Sequence, residues 1–114
     1  MTPIGHAPGR ARRNNVSEFI RERAESDPGR PLLMWVSQAS RAGWASKRGT
    51  ELSYERLTAG ELWERVQGTA RSFAELGLAP GDRVLVFLPM SAELYVTMLA
   101  VQHMGAAAVF LDSW

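Results

Sequence analysis

Two unbroken apolar runs joined by an apolar helix constrain the fold of this chain most. The runs Val84 to Leu88 and Ala106 to Leu111 have the length of strands, and Ser91 can cap a helix between them that reaches Met104. That helix is apolar nearly all round, which predicts burial on several sides. Short links between strand, helix and strand predict a right-handed parallel βαβ unit whose strands are covered on both faces.

The first half of the chain carries the pattern of a β-hairpin. Residues Leu32 to Val36 form another continuous apolar run, and a second strand is predicted at about Glu51 to Leu57. The polar segment 37–50 between them contains two glycines and is predicted to form the turn region. The fold class that follows is α/β, with a hairpin and a parallel βαβ unit.

The first helix is predicted to begin after Asn15, which can act as its N-cap. Glu18 stands three residues on, where its side chain could complete a capping box, and Pro28 removes a backbone donor and ends the helix. The apolar residues recur at helical spacing and predict one buried stripe, formed by Val16, Phe19, Ile20 and Ala24.

A second, longer helix is predicted from the capping box formed by Thr58 and Glu61. It runs to about Leu76, and Gly77 provides its C-cap because glycine tolerates the left-handed conformation required there. Pro80 and Gly81 are then predicted as the central residues of a tight turn. The buried face of this helix is formed by Leu62, Val66, Ala70 and Phe73.

Composition narrows the class of protein. The 114 residues are 46% apolar and 22% charged, as expected of a globular chain, and the net charge of +1 argues against nucleic acid or an anionic membrane as the main partner. Because there is no cysteine, we expect no disulfide framework, and a cytoplasmic location is favoured. Residues 1–14 are predicted to be a disordered basic tail, with a transit peptide as the alternative, and no segment has the length of a membrane span.

No pattern in the chain predicts a cofactor or metal site. Neither G-x-G-x-x-G nor the Walker spacing occurs, so no phosphate-binding loop is expected, and a Rossmann-type oxidoreductase is disfavoured. His6 and His103 are isolated in the sequence, whereas a histidine metal site needs spaced partners. Both are interpreted as structural or solvated.

No pattern predicts a catalytic residue either. A serine nucleophile needs a base within reach, and no such pairing surrounds Ser37, Ser40 or Ser46. Two carboxylate pairs, Glu51 with Glu55 and Glu61 with Glu64, are interpreted as solvated charge. Trp35 and Trp63 are interpreted as core or core-edge residues.

Three segments together resemble the N-terminal part of the acyl-adenylate-forming superfamily, which includes acyl-CoA synthetases. Leu57 to Leu62 is similar to the family's L-T-Y-x-E-L segment, in preference to the earlier candidate Leu52 to Leu57. Leu76 to Val84 resembles the L-G-x-x-x-G-D-x-V turn, and Met104 to Asp112 resembles A-G-x-A-Y-V-P-I-D. The resemblance covers about residues 15–114, which are interpreted as an incomplete N-terminal part of an AMP-dependent synthetase/ligase domain.

The resemblance implies a parent enzyme in which a carboxylic acid attacks the α-phosphate of Mg-ATP to give acyl-AMP, and a thiol such as coenzyme A then takes the acyl group. The family's phosphate loop, ribose-binding aspartate and final-domain lysine lie further along the chain. The resemblance therefore assigns no catalytic, cofactor-binding or metal residue here, and the segment alone is expected to be inactive. ATP, Mg and coenzyme A are implied for the parent only, and the acyl substrate and acceptor thiol stay open.

The sequence leaves a second interpretation, a self-contained small α/β binding or interaction module. A fragment is favoured because the sequence stops after a strand that looks central, so that a sheet edge and face would lack cover. Its partner would be the remainder of the parent enzyme, and self-association is the expected alternative. A reading frame continuing into a Ser/Thr/Gly-rich loop with a lysine would favour the ligase; a stop codon would favour the module.

Overall fold

The computed structural model describes residues 15–38, 40–41 and 52–111. Three helices and two two-stranded sheets follow one another in the order α1 (Val16–Ser26), β1 (Pro31–Val36), β2 (Tyr54–Thr58), α2 (Ala59–Glu75), β3 (Arg83–Val86), α3 (Ala92–His103) and β4 (Ala107–Phe110). The predicted mixed α/β class is confirmed. The predicted basic tail and the central part of the predicted turn region lie outside the described residues.

The predicted hairpin is present, with β1 and β2 antiparallel and Trp35 opposite Glu55. A register shift between Pro31 and Leu33 marks an irregularity at the open end of the pair. The second strand begins later than predicted, at Tyr54, and it extends to Thr58, where the chain turns directly into α2.

The capping box of α2 confirms the choice of register. The hydroxyl of Thr58 accepts the backbone N–H of Glu61 at 3.3 Å, and the Glu61 carboxylate accepts the backbone N–H of Thr58 at 2.9 Å. At the other end, Gly77 has φ +96°, and the N–H of Leu78 reaches the carbonyl of Phe73 at 3.0 Å. This is the Schellman C-cap that the glycine predicts.

The βαβ unit is also confirmed, because β3 and β4 are parallel with Leu85 opposite Val109. Between them, Ser91 caps α3 by accepting the N–H of Leu94 at 3.3 Å. Both strands are shorter than predicted: β3 ends at Val86 and β4 at Phe110.

The core lies where α2 packs against α3, with α1 against both and the hairpin at one end. Val66, Ala100 and Val101 are fully buried. Trp35 and Trp63 pack at the edge of this core, as predicted. The predicted face of α2 is correct at three positions, and its fourth, Phe73, is partly buried.

The buried stripe predicted for α1 is wrong at its first two positions. Val16 and Phe19 are exposed, whereas Ser17 is completely buried and Ile20 packs against the core. The helix rests on the core along the Ser17 and Ile20 side. Asn15 is the N-cap, but Glu18 binds Arg21 at 2.7 Å instead of completing a capping box.

Within the described residues the strands are not covered on both faces, and for the β3–β4 sheet an uncovered face is what the fragment interpretation expects. Met34 of β1 and Leu85 of β3 are 61% and 62% exposed, whereas Val86 beside Leu85 is 4% exposed. Among the described elements α3 packs against both β3 and β4, whereas Leu85 and Val109 stay exposed. An unbroken apolar run predicts a fully buried strand only when both layers are present.

Candidate functional site

A cleft of about 360 Å³ lies between the hairpin and the N-terminus of α3. Arg41 and Arg65 supply positive charge at its wall, and Glu55 and Glu93 supply negative charge. The indole N–H of Trp35 donates to the Glu55 carboxylate at 2.9 Å and fixes one wall. With both signs of charge present, the cleft suits a polar group and does not concentrate anions.

Ser91 is one of the residues that line this cleft. Its hydroxyl donates to the carbonyl of Pro89 at 2.9 Å and accepts the N–H of Leu94. The contact with Leu94 caps α3, the contact with Pro89 joins the hydroxyl to the preceding backbone, and no basic side chain takes part in either. The structure therefore supports the interpretation of Ser91 as a cap.

Ser37 and Ser40, for which the sequence analysis found no catalytic partner, form a ring of hydroxyls with Ser53. Their Oγ atoms are 2.6 Å (Ser37 to Ser53), 2.8 Å (Ser40 to Ser53) and 3.1 Å (Ser37 to Ser40) apart. Because Ser37 donates its one hydrogen to Ser40, Ser53 must donate to Ser37 and Ser40 to Ser53. The ring binds the two chain segments at the end of the hairpin, and Ser46 lies outside the described residues.

The ring has no basic member, so its hydroxyls have structural roles. Sequence reasoning missed it because Ser53 lies 13 and 16 residues from Ser40 and Ser37, across the hairpin. The signal can be recognised only with the observed strand bounds, in which Ser37 directly follows β1 and Ser53 directly precedes β2.

His103 belongs to a second structural network, which joins the end of α3 to the start of α1. Ser17 donates its hydroxyl hydrogen to the Asn15 side chain at 2.8 Å. In the 3.2 Å contact between Ser17 and His103, the hydroxyl oxygen is therefore the acceptor and the Nδ1–H of the imidazole is the donor. The imidazole also meets Trp63 edge-on, with ring centroids 5.2 Å apart. The structural interpretation of this histidine is supported, and His6 lies outside the described residues.

The described carboxylates of the two pairs are exposed, as predicted, and Glu51 lies outside the described residues. Glu61 has a defined role: hydrogen bonds from the backbone and then the side chain of Thr58 hold the pKa of its carboxyl below the ordinary value. Within the described ranges, no group of three or more histidine, aspartate or glutamate side chains could hold a metal ion. No helix in that part of the chain is long and apolar enough to cross a membrane.

Two of the segments that resemble the family's motifs, Leu76 to Val84 and Met104 to Asp112, each contain a turn with a glycine. These two turns meet at the amino ends of β3 and β4. Gly81, with φ +86°, donates its N–H to the carbonyl of Gly105 at 2.9 Å, and Ala107 donates to the carbonyl of Asp82 at 2.8 Å. The Asp82 carboxylate closes its own turn by accepting the N–H of Ala79 at 2.8 Å. Gly105 itself has φ +76°, which favours glycine.

This junction, which we call the glycine junction (residues 79–82 and 105–107), explains why these residue types occur at these positions. Both turns need a left-handed residue, and together they begin the two parallel strands in register. Their role is therefore to start the sheet.

Comparison with known proteins identifies the family. The family described as AMP-binding enzyme matches residues 20–113, and the chain belongs to this family. Similar proteins include an acetyl-coenzyme A synthetase of Streptomyces avermitilis, 47% identical over 45% of this chain and 8% of the relative. A propionate–CoA ligase of Escherichia coli is 36% identical over 63% of this chain and 12% of the relative.

Solved structures agree with this assignment. The Klebsiella oxytoca NpsA N-terminal subdomain superposes with a TM-score of 0.68 at 25% identity, covering 87% of this chain and 22% of that one. A fatty acyl CoA synthetase of Mycobacterium tuberculosis shares the fold with a TM-score of 0.68 at 23% identity, over 89% of this chain and 17% of its own. The chain therefore spans a small part of the length of the proteins it matches.

Proposed function

We propose that this chain is the N-terminal scaffold segment of an ATP-dependent carboxylate ligase. The observation that carries the proposal is the glycine junction, which joins two of the three resembling segments by a direct hydrogen bond inside a match to the AMP-binding family. In this proposal residues 15–114 are an incomplete part of the synthetase/ligase domain, and residues 1–14 are a basic tail.

The reaction proposed for the whole protein has two steps. A carboxylate oxygen attacks the α-phosphorus of Mg-ATP, and the bond to the β-phosphate oxygen breaks to give acyl-AMP and pyrophosphate. A thiol, such as coenzyme A, then attacks the acyl carbon and releases AMP. The names of the similar proteins support a carboxylic acid and coenzyme A as substrates.

Within that enzyme, the described residues position secondary structure. The caps at Thr58 and Ser91 set the starts of α2 and α3, and the glycine junction sets the start of the sheet. Stabilising a phosphoryl transition state requires positioned donors and bound Mg²⁺. We assign none of these to a residue of this chain.

The test is carboxylate-dependent exchange between ATP and labelled pyrophosphate. We expect no exchange above a no-protein blank from the 114-residue chain and clear exchange from the product of the complete reading frame, with acetate and propionate as first substrates. Exchange by the 114-residue chain would refute the scaffold role. A reading frame that stops at Trp114 would instead favour a self-contained binding module.

A further inference from the structure

Helix α1 rests on the core with little apolar burial. Its one buried residue is Ser17, and Ile20 packs against the core while partly buried. Val16 and Phe19, the other large apolar side chains of the helix, are 48% and 58% exposed. The other two helices each bury four or more apolar residues. The hydrophobic effect therefore stabilises the docking of α1 less than that of α2 or α3.

Polar groups join the start of α1 to the end of α3. The side-chain nitrogen of Asn15 donates to the carbonyl of Gln102 at 2.8 Å, and its Oδ1 accepts the backbone N–H of Ser17 at 3.0 Å. His103 reaches the Ser17 hydroxyl at 3.2 Å. One Asn15 side chain therefore caps α1 and also occupies a carbonyl at the end of α3. These four residues are called here the α1 catch.

The connection between α1 and β1 is anchored separately from the helix. A cleft of about 370 Å³, lined by residues of both elements, lies between α1 and β1. The turn that follows α1 is fixed to the start of α2, because Gly60 donates its N–H to the carbonyl of Pro28 at 3.0 Å and Ala59 donates to the carbonyl of Arg30 at 2.8 Å. Since both anchors lie beyond the end of α1, the helix can leave the core without displacing β1 or α2.

Few buried apolar contacts, a polar catch and a separate anchor are the features of an element that opens locally. An isolated helix of 11 residues is marginal in water, so α1 should lose its helical hydrogen bonds once it detaches. We propose that α1 is a detachable strap: residues 15–27 leave the core as one unit while α2, α3 and both sheets stay folded. Detachment removes the Ser17 partner of His103 and opens the end of α3 to solvent. This inference does not depend on the proposed function.

The test is hydrogen exchange of single backbone amides, followed by mass spectrometry at low urea concentrations on the product of the complete reading frame. The amides of α1 should share one opening equilibrium, about tenfold or more in favour of the open state relative to the buried parts of α2 and α3. That equilibrium should depend only weakly on urea, because detachment exposes much less surface than global unfolding does.

Asn15→Asp separates the catch from the cap. Aspartate caps a helix about as well as asparagine, but it cannot donate to the Gln102 carbonyl. This variant should shift the opening equilibrium of α1 by about three- to tenfold, the effect of losing one hydrogen bond, and leave α2 and α3 unchanged. Ser26→Ala is the matched control, because its hydroxyl donates to the carbonyl of Arg23 within α1, at 3.5 Å, and it should change exchange in none of the helices.

Three results would refute the strap. Amides of α1 that exchange only as fast as those of α2 show that the helix opens with the whole fold. Exchange that rises steadily toward one end of α1 shows fraying of single turns in place of detachment as a unit. An Asn15→Asp variant that leaves α1 exchange unchanged, or that speeds exchange in α2 and α3 equally, shows that the catch does not hold the helix.

Discussion

Removing one hydroxyl from the serine ring should destabilise the protein by an amount that depends on its place in the ring. Ser40 is 4% exposed, and its Oγ accepts the hydroxyl hydrogen of Ser37 and the backbone N–H of Ser53, the latter at 2.8 Å. Ser40→Ala therefore removes three hydrogen bonds, the two that this hydroxyl accepts and the one that it donates to Ser53. Ser53→Ala removes two, the one that its hydroxyl donates to Ser37 and the one that it accepts from Ser40.

The expected magnitudes follow from the burial of those donors. An unsatisfied buried donor costs about 1–3 kcal/mol. Ser37 is 7% exposed, and without Ser40 its hydroxyl can donate only by turning to Ser53, whose own hydroxyl then gives up its bond to Ser37. Ser53 is exposed, so water can replace part of the hydrogen bonding that its hydroxyl and backbone N–H lose. We expect about 2 kcal/mol for Ser40→Ala and about 1 kcal/mol for Ser53→Ala.

Urea denaturation followed by circular dichroism measures these differences. Ser72→Ala is the control, since its exposed hydroxyl donates to the carbonyl of Gly68 within α2 and its loss should stay within about 0.5 kcal/mol. If Ser40→Ala were no more costly than Ser72→Ala, or less costly than Ser53→Ala, the ring would not hold the hairpin end as the hydrogen bonds indicate.

Four further outcomes are expected. Thr58→Ala removes the cap of α2 and should cost about 1 kcal/mol in urea denaturation. Because Ser53→Ala should cost a similar amount, comparing these two variants does not distinguish the two candidate matches to the L-T-Y-x-E-L segment. Folding lowers the pKa of Glu61, so the stability that its carboxylate contributes is fully present above the ordinary pKa of 4.5 and is lost as the pH falls below that value. The difference in unfolding free energy between the wild type and Glu61→Gln should therefore shrink as the pH falls below 4.5. A difference that does not change with pH would contradict the capping box of Thr58 and Glu61. Gly105→Ala should cost about 1–2 kcal/mol, because alanine is strained in the left-handed backbone conformation at this position. No steric clash adds to that cost, since the new Cβ would lie 3.5 Å from Pro80 Cβ, an ordinary contact distance. Gly29→Ala is the control and should not destabilise the protein, because there is open space around Gly29. Leu99→Ala, in the core, should lower the free energy of unfolding by about 2–5 kcal/mol, and a loss under 1 kcal/mol would argue against the packing of α2 on α3.

The local signals in the sequence predicted structure well because their chemistry is local. A threonine and a glutamate three residues apart satisfy each other's backbone donors wherever the helix lies, and the box at Thr58 is present. Gly77 ends a helix for a reason contained in its own backbone, and it has the expected positive φ. The α/β class and the parallel pairing of β3 with β4 follow from such elements and the short links between them.

Predictions of burial failed where they depended on a neighbour that the sequence does not specify. Helical spacing placed Phe19 on an apolar face of α1, but the core meets the face of Ser17 and Ile20, and Phe19 is 58% exposed. The same limit applies to Leu85, which is exposed among the described residues although α3 packs against its strand.

The sequence by itself determined the caps, the turns, the order of elements and the resemblance that the family match confirms. Tertiary structure alone decided that Ser37, Ser40 and Ser53 close a ring, that Ser17 bonds His103, and that Gly81 bonds Gly105. The physical reason is sequence separation. A cap or turn is satisfied within about four residues, whereas these contacts require packing and strand pairing to bring distant residues together before any hydrogen bond can form.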